Sequence, residues 1–193
     1  LYVSRRPAPA PAFSVEASLF REGLGTQERM QNGGRIYPGD GLFLEIKGSE
    51  PLHLYVLNED RKGEVFALFP PPSGFELANP HAAGVLHRLP GKLAGDEQHW
   101  EVTSVGGRET ILIIASRRAL TDVERQITSF PRAEPGRPIT YSRLDVRSLN
   151  LIYRGIGGFK ETTPGVDGAS SRLDHIARLV PAHVAALDDL RAQ

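Results

Sequence analysis

Apolar and polar positions alternate along much of this chain, and the alternation has the period of a β-strand. Phe13, Val15, Ala17 and Leu19 interleave with Ser14, Glu16 and Ser18. A period of two places one set on a buried face, so a first strand is expected here. Residues 23–34 are polar and turn-rich. Ile36-Tyr37-Pro38-Gly39-Asp40-Gly41 reads as a turn, because proline presets φ and glycine permits positive φ. Leu42, Leu44 and Ile46 then alternate with Phe43, Glu45 and Lys47 as a second strand. In the third, Leu52, Leu54 and Val56 share one face, with His53, Tyr55 and Leu57 on the other. The polar loop 58–63 ends in glycine and predicts a hairpin into a returning strand at 64–69. Pro70-Pro71-Pro72 stops that strand, since proline cannot donate to a ladder.

A short strand is expected at 85–89 and another through Trp100, Val102 and Ser104. Residues 110–116 form a continuous apolar run whose length and β-branching predict a central strand buried on both faces. Leu149, Leu151 and Tyr153 alternate once more. Helical signals are few. Thr121-Asp122-Val123-Glu124 fits a capping box, with Val123 and Ile127 turned to the core and the helix ending by Pro131. A helical stripe through Leu173, Ile176, Val180, Val184, Leu187 and Leu190 is interrupted at Pro181.

The pattern predicts a mainly β fold: an immunoglobulin-like antiparallel β-sandwich with one short helix and a C-terminal helical segment. The expected division is a Pro/Ala-rich tether at 1–12, the sandwich at 13–155, a flexible glycine-containing loop at 156–170 and a helix at 171–193. A chain of 193 residues suits one domain with appendages.

Charge and composition then narrow the function. The 23 basic and 23 acidic residues cancel, which argues against a broad nucleic-acid surface and against a polybasic membrane patch. Cysteine is absent, so thiol nucleophiles, disulfides and cysteine-ligated metals are excluded. No cofactor is expected. No apolar run reaches the length of a membrane span. The sequence opens on Leu1, which reads as a piece of a longer protein. Tyr2, Arg5 and Arg6 resemble the flank of a membrane helix. Pro7 to Ala12 alternates proline with alanine as a stiff spacer. A covalently linked membrane anchor outside this sequence is therefore expected.

One family resemblance follows from the order of short motifs. Pro38-Gly39-Asp40, Leu54-Tyr55-Val56-Leu57-Asn58, Gly63-Glu64-Val65, Leu68-Phe69-Pro70 and Leu89-Pro90-Gly91 occur in sequence. Gly107-Arg108-Glu109 and the run Ile111-Leu112-Ile113-Ile114-Ala115-Ser116 follow. Residues 33–120 thereby resemble a bacterial domain family of unknown function, appended to serine/threonine kinases, caspase-like peptidases and membrane-anchored anti-sigma-type regulators. The resemblance implies a non-catalytic sensory or binding module that faces the periplasm or exterior. Arg5 and Arg6 favour the alternative, a cytoplasmic face.

Catalytic patterns are weak. There is no G-x-S-x-G, and Ser116 reads as a strand-end hydroxyl. The six histidines form no H-E-x-x-H and read as scattered surface groups. His81, His87, His99 and Asp96 are the set weighed as a metal site, and no metal is expected. The acidic groups of the 58–64 hairpin are opposed by Arg61 and Lys62, against a calcium loop. Arg154-Gly155-Ile156-Gly157-Gly158-Phe159-Lys160 misses the Walker spacing.

The candidate ligand contacts are Asp40, Tyr55, Asn58, Arg154 and Lys160, with no catalytic residue. Tyr37, Phe75 and Trp100 are further aromatics of interest. The leading expectation is a sensory or interaction domain of a larger, membrane-anchored bacterial regulator, bound to an unknown protein or small ligand. The rivals are an enzyme or anion-binding domain using Arg154, Lys160 and a histidine, and a structural spacer whose C-terminal helix docks a partner.

Overall fold

The computed structural model describes residues 13–144, apart from 24, 32, 78, 104–108 and 128–130. The first alternation forms β1 (Val15–Gly23), which turns through Gly25 at φ 79° into β2 (Thr26–Arg29). The second forms β3 (Gly41–Gly48), the third β4 (His53–Glu59), and the hairpin returns as β5 (Val65–Phe69). Then follow β6 (His87–Leu89), β7 (Lys92–Leu93), β8 (Asp96–Glu97) and β9 (Trp100–Glu101). β10 (Thr110–Ser116), α1 (Thr121–Ile127) and β11 (Ser142–Leu144) complete the described elements.

The chain is mainly β, and its sheets are antiparallel, as the spacing predicts. One sheet has the order β2-β1-β3-β6, with β9 also pairing β3. The other has the order β10-β4-β5-β11, and β7 and β8 form a small ribbon. The two larger sheets share one core. Leu19, Leu42, Leu44 and Ile46 from the first pack with Leu54, Val56, Ile111 and Ile113 from the second. Each such side chain, fully buried, contributes roughly 1.5–3 kcal/mol.

The second sheet is buried on its outer face as well. Tyr55 and Leu57 are both 0% exposed there. Leu120 and Val123 of the α1 region are also buried, and the Tyr55 hydroxyl accepts the Leu120 N–H at 2.7 Å. β10 is buried along most of its length, as its apolar run predicts. Among the described residues β10 pairs with β4 alone. Its side chains are buried on both faces because one face meets the opposite sheet and the other lies on the same side as α1. An apolar run reports burial, and burial does not require two flanking strands.

Three expectations change. The polar segment 23–34 contains β2, whose four residues are all exposed. Backbone pairing to β1 holds it without an apolar face. The stretch around Leu93 forms the β7–β8 ribbon, which no alternation marked. The capping box also does not close among the described residues. The first helical N–H groups, of Val123 and Glu124, donate to the Leu120 carbonyl at 2.9 Å. The Glu124 side chain reaches away instead, to Tyr55. The tether at 1–12, the strand around Leu151, the loop at 156–170 and the helix at 171–193 lie outside the described residues.

Candidate ligand-binding site

The β4–β5 hairpin is locked by its own sequence. Asp60 Oδ1 accepts from the Lys62 N–H at 2.9 Å and the Glu64 N–H at 2.8 Å. Gly63 takes φ 73°, which glycine adopts without strain. The Asp60 carboxylate is thus occupied by the turn that the hairpin needs.

Beside this turn the sandwich opens into a pocket of about 770 Å³. That is within the range of small-molecule sites, roughly 300–1,000 Å³. Its apolar wall comes from both sheets: Leu42 of β3, Phe66 and Leu68 of β5, Trp100 of β9 and Ile111 of β10. Ile139 and Tyr141 close it ahead of β11. The Trp100 ring is held by its own N–H, which donates to the Leu68 carbonyl at 3.3 Å.

At least half of the lining residues are polar or charged, among them Asn58, Glu109 and Tyr141. Asn58 Nδ2 donates to Glu109 Oε2 at 2.9 Å. The carboxylate fixes the amide's orientation, since the reverse would face two acceptors. Asn58 Oδ1 is then left buried without a donor. Glu109 is only 8% exposed, and the Asn58 amide is its hydrogen-bond partner among the described residues. The Tyr141 hydroxyl is also buried, without a partner among the described residues. Burial raises its pKa, so it stays a neutral O–H. Asn58 Oδ1 and the Tyr141 hydroxyl thus both bear the cost of lost hydration.

The register explains this convergence. Ile111 lies opposite Asn58 in the β10–β4 ladder. Glu109, two residues before Ile111, is then a diagonal neighbour of Asn58 on the same side.

The sequence-derived candidates are dispersed by the fold. Asn58 lines the pocket. Tyr55 belongs to the opposite face of β4 and is fully buried, tying the sheet to α1. Asp40 closes its own turn: Oδ2 accepts the Tyr37 N–H at 2.8 Å, and the Asp40 N–H donates to the Tyr37 carbonyl at 3.0 Å. Arg21 adds an ion pair to Asp40 at 3.7 Å. Arg154 and Lys160 lie outside the described residues. Tyr37 is exposed and Phe75 half-buried. Glu109 and Tyr141 were missed as site residues. The signal for Glu109 was a carboxylate immediately before a buried strand. Nothing local marks Tyr141.

The histidines also differ from expectation. His81 is 4% exposed, not on the surface. Its ring meets that of His87 edge-on, centroids 4.5 Å apart, and the edge of Phe69 at 5.3 Å. Neither ring nitrogen of His81 has a hydrogen-bond partner. Burial, then His87 and His53, push its pKa down to about 4. His53 in turn sits 3.5 Å from the Glu124 carboxylate. His99 is elsewhere, on the pocket wall and against Gly41. Among the described residues no group of three or more His, Cys, Asp or Glu is arranged to hold a metal ion.

No helix of the described residues is long and apolar enough to cross a membrane. Neither a curated protein nor a solved structure matches this chain. Residues 36–119, which run from the pocket residue Ile36 past the end of β10, match the family model of DUF4384, a domain of unknown function.

Proposed function

We propose that this chain is a non-catalytic binding module whose ligand sits in the pocket beside the β4–β5 turn. The observation that carries the reading is a pair of buried polar atoms with no partner among the described residues, Asn58 Oδ1 and the Tyr141 hydroxyl, on residues that line a pocket with aromatic and aliphatic walls. Such a pocket supplies affinity through its rings and orientation through its polar groups. The further ionisable lining groups His99, Glu101 and Lys62 are exposed. Thr103 and Tyr141 are the hydroxyls among the pocket's described lining residues, and Tyr141 has no base against it.

In this reading the module is the sensory or interaction part of a larger bacterial regulator, anchored to a membrane and facing the periplasm or exterior. The Pro-Ala segment at 7–12, with Tyr2, Arg5 and Arg6 before it, supports the tether. The resemblance to modules appended to kinases and peptidases supports the regulatory role.

The test is a fragment screen read on the indole N–H resonance of Trp100, the single tryptophan. Ligands of the pocket shift that resonance in the native protein. Ile139→Phe, which adds bulk to the pocket, abolishes the shifts while keeping a dispersed spectrum and a single indole resonance. Shifts that survive the filling, or a screen without any, overturn the reading.

A further inference from the structure

We infer that the pocket takes an organic cation: a primary ammonium or guanidinium group on an apolar stem, received by the Glu109 carboxylate and Asn58 Oδ1. The inference rests on the binding reading above and gives it a ligand class.

Glu109 is more than nine-tenths buried, and its one described partner is the neutral Asn58 amide. A buried carboxylate held by a single neutral donor lacks the pairing that normally compensates its lost hydration. Beside it, Asn58 Oδ1 is an acceptor without a donor. The two groups are hydrogen-bonded diagonal neighbours across the β4–β10 ladder, so a turn of the Asn58 side chain, whose Oδ1 is buried, lets one small head group meet both. A multi-donor cation satisfies both at once, whereas a carboxylate or phosphate would add a third set of lone pairs. The Tyr141 hydroxyl can accept one further N–H.

The apolar wall suits the rest of such a ligand. Phe66, Trp100 and Tyr141 are aromatic, and aromatic faces attract cations as well as apolar stems. Basic residues also line the pocket. Arg61, Lys62 and Arg137 are exposed, and Arg137 is paired with Glu134 at 2.9 Å. Water and salt screen such charges far more than the buried Glu109. Asp60 Oδ1 is already used by its turn.

Three probes of one shape decide the matter: 2-phenylethylamine, 2-phenylethanol and 3-phenylpropionate, titrated at pH 7 against the Trp100 indole resonance. The amine binds about ten- to a hundredfold more tightly than the alcohol, as a charge-assisted hydrogen bond predicts. Glu109→Gln and Asn58→Leu lose that preference and keep the alcohol's affinity. Equal binding of all three, or tightest binding of the propionate, overturns the cation inference and leaves the pocket reading intact. Failure of every probe to move the resonance overturns both. Should the Glu109→Gln spectrum lose its dispersion, the amine-to-alcohol ratio of the native protein alone decides.

Discussion

The Tyr55 hydroxyl donates to Glu124 Oε1 at 2.8 Å, joining the middle of a sheet strand to the helix 69 residues later. The same oxygen accepts the N–H of Leu120 at 2.7 Å. Burial is the largest cause raising the Tyr55 pKa, and the Glu124 carboxylate adds to it, so the hydroxyl keeps its proton. One phenol thereby serves as both the donor that holds α1 down and the acceptor at its start. Tyr55→Phe leaves the ring packed but strands the Leu120 N–H and the carboxylate. We expect a loss of about 1–3 kcal/mol in urea unfolding. Glu124→Gln keeps an acceptor and loses less.

His81 makes stability depend on pH in a defined direction. Its pKa lies near 4 in the folded chain against an ordinary 6.5. Above 6.5 the imidazole is neutral whether the chain is folded or not, and stability from this group is complete. As pH falls from about 6.5 toward about 4, the unfolded chain takes up the proton and the folded one resists, so stability declines. Below that window the contribution levels off. Urea unfolding at pH 7.5, 6 and 5 should show the decline, and His81→Phe, set against Phe69, should flatten the slope.

Gly91 and Gly95 separate conformational strain from collision. Both have positive φ, 103° and 88°. A Cβ at Gly91 would stand 2.9 Å from Leu77 Cβ, whereas Gly95 has open space. Gly95→Ala therefore pays the backbone term alone, about 1 kcal/mol. Gly91→Ala adds the displacement of Leu77, and the summed cost is expected at roughly 2–4 kcal/mol. The melting temperatures of the two variants should fall in that order.

Arg88 caps a stack on the outer face of the first sheet. Phe20 and Phe43 lie parallel with centroids 5.0 Å apart, and the Arg88 guanidinium sits 3.6 Å above the Phe43 ring. It also reaches Glu22 at 3.2 Å. Arg88→Ala uncovers Phe43 and should cost about 1–2 kcal/mol. Arg88→Lys keeps the charge but not the planar stacking, and should recover only part of the loss in the same unfolding assay.

The strands were legible because their cause is local. Period-two alternation in β1, β3 and β4 follows from one face meeting a core, and Asp60 with Gly63 specifies the hairpin wherever the chain goes. β2 and the β7–β8 ribbon were not legible, because β2 is exposed throughout and β7 and β8 are two residues each, too short to show alternation. Among the described residues, Asn58 is the candidate contact that lines the pocket. Tyr55, three positions earlier, sits on the other face, as strand parity requires.

By itself, then, the sequence determined the antiparallel β character, the main turns and the stretch from Ile36 to Ala119 that carries the family match. The tertiary structure alone decided what shares a pocket and what shares a core. Asn58, Glu109 and Tyr141 are far apart in the chain and meet only through pairing of β4 with β10 and β5 with β11. His81 loses its water only because His53, His87 and Phe69 gather around it. The physical reason is common to both. Strand formation depends on near neighbours along the chain, whereas burial of an unpaired polar group depends on which distant strands come into register.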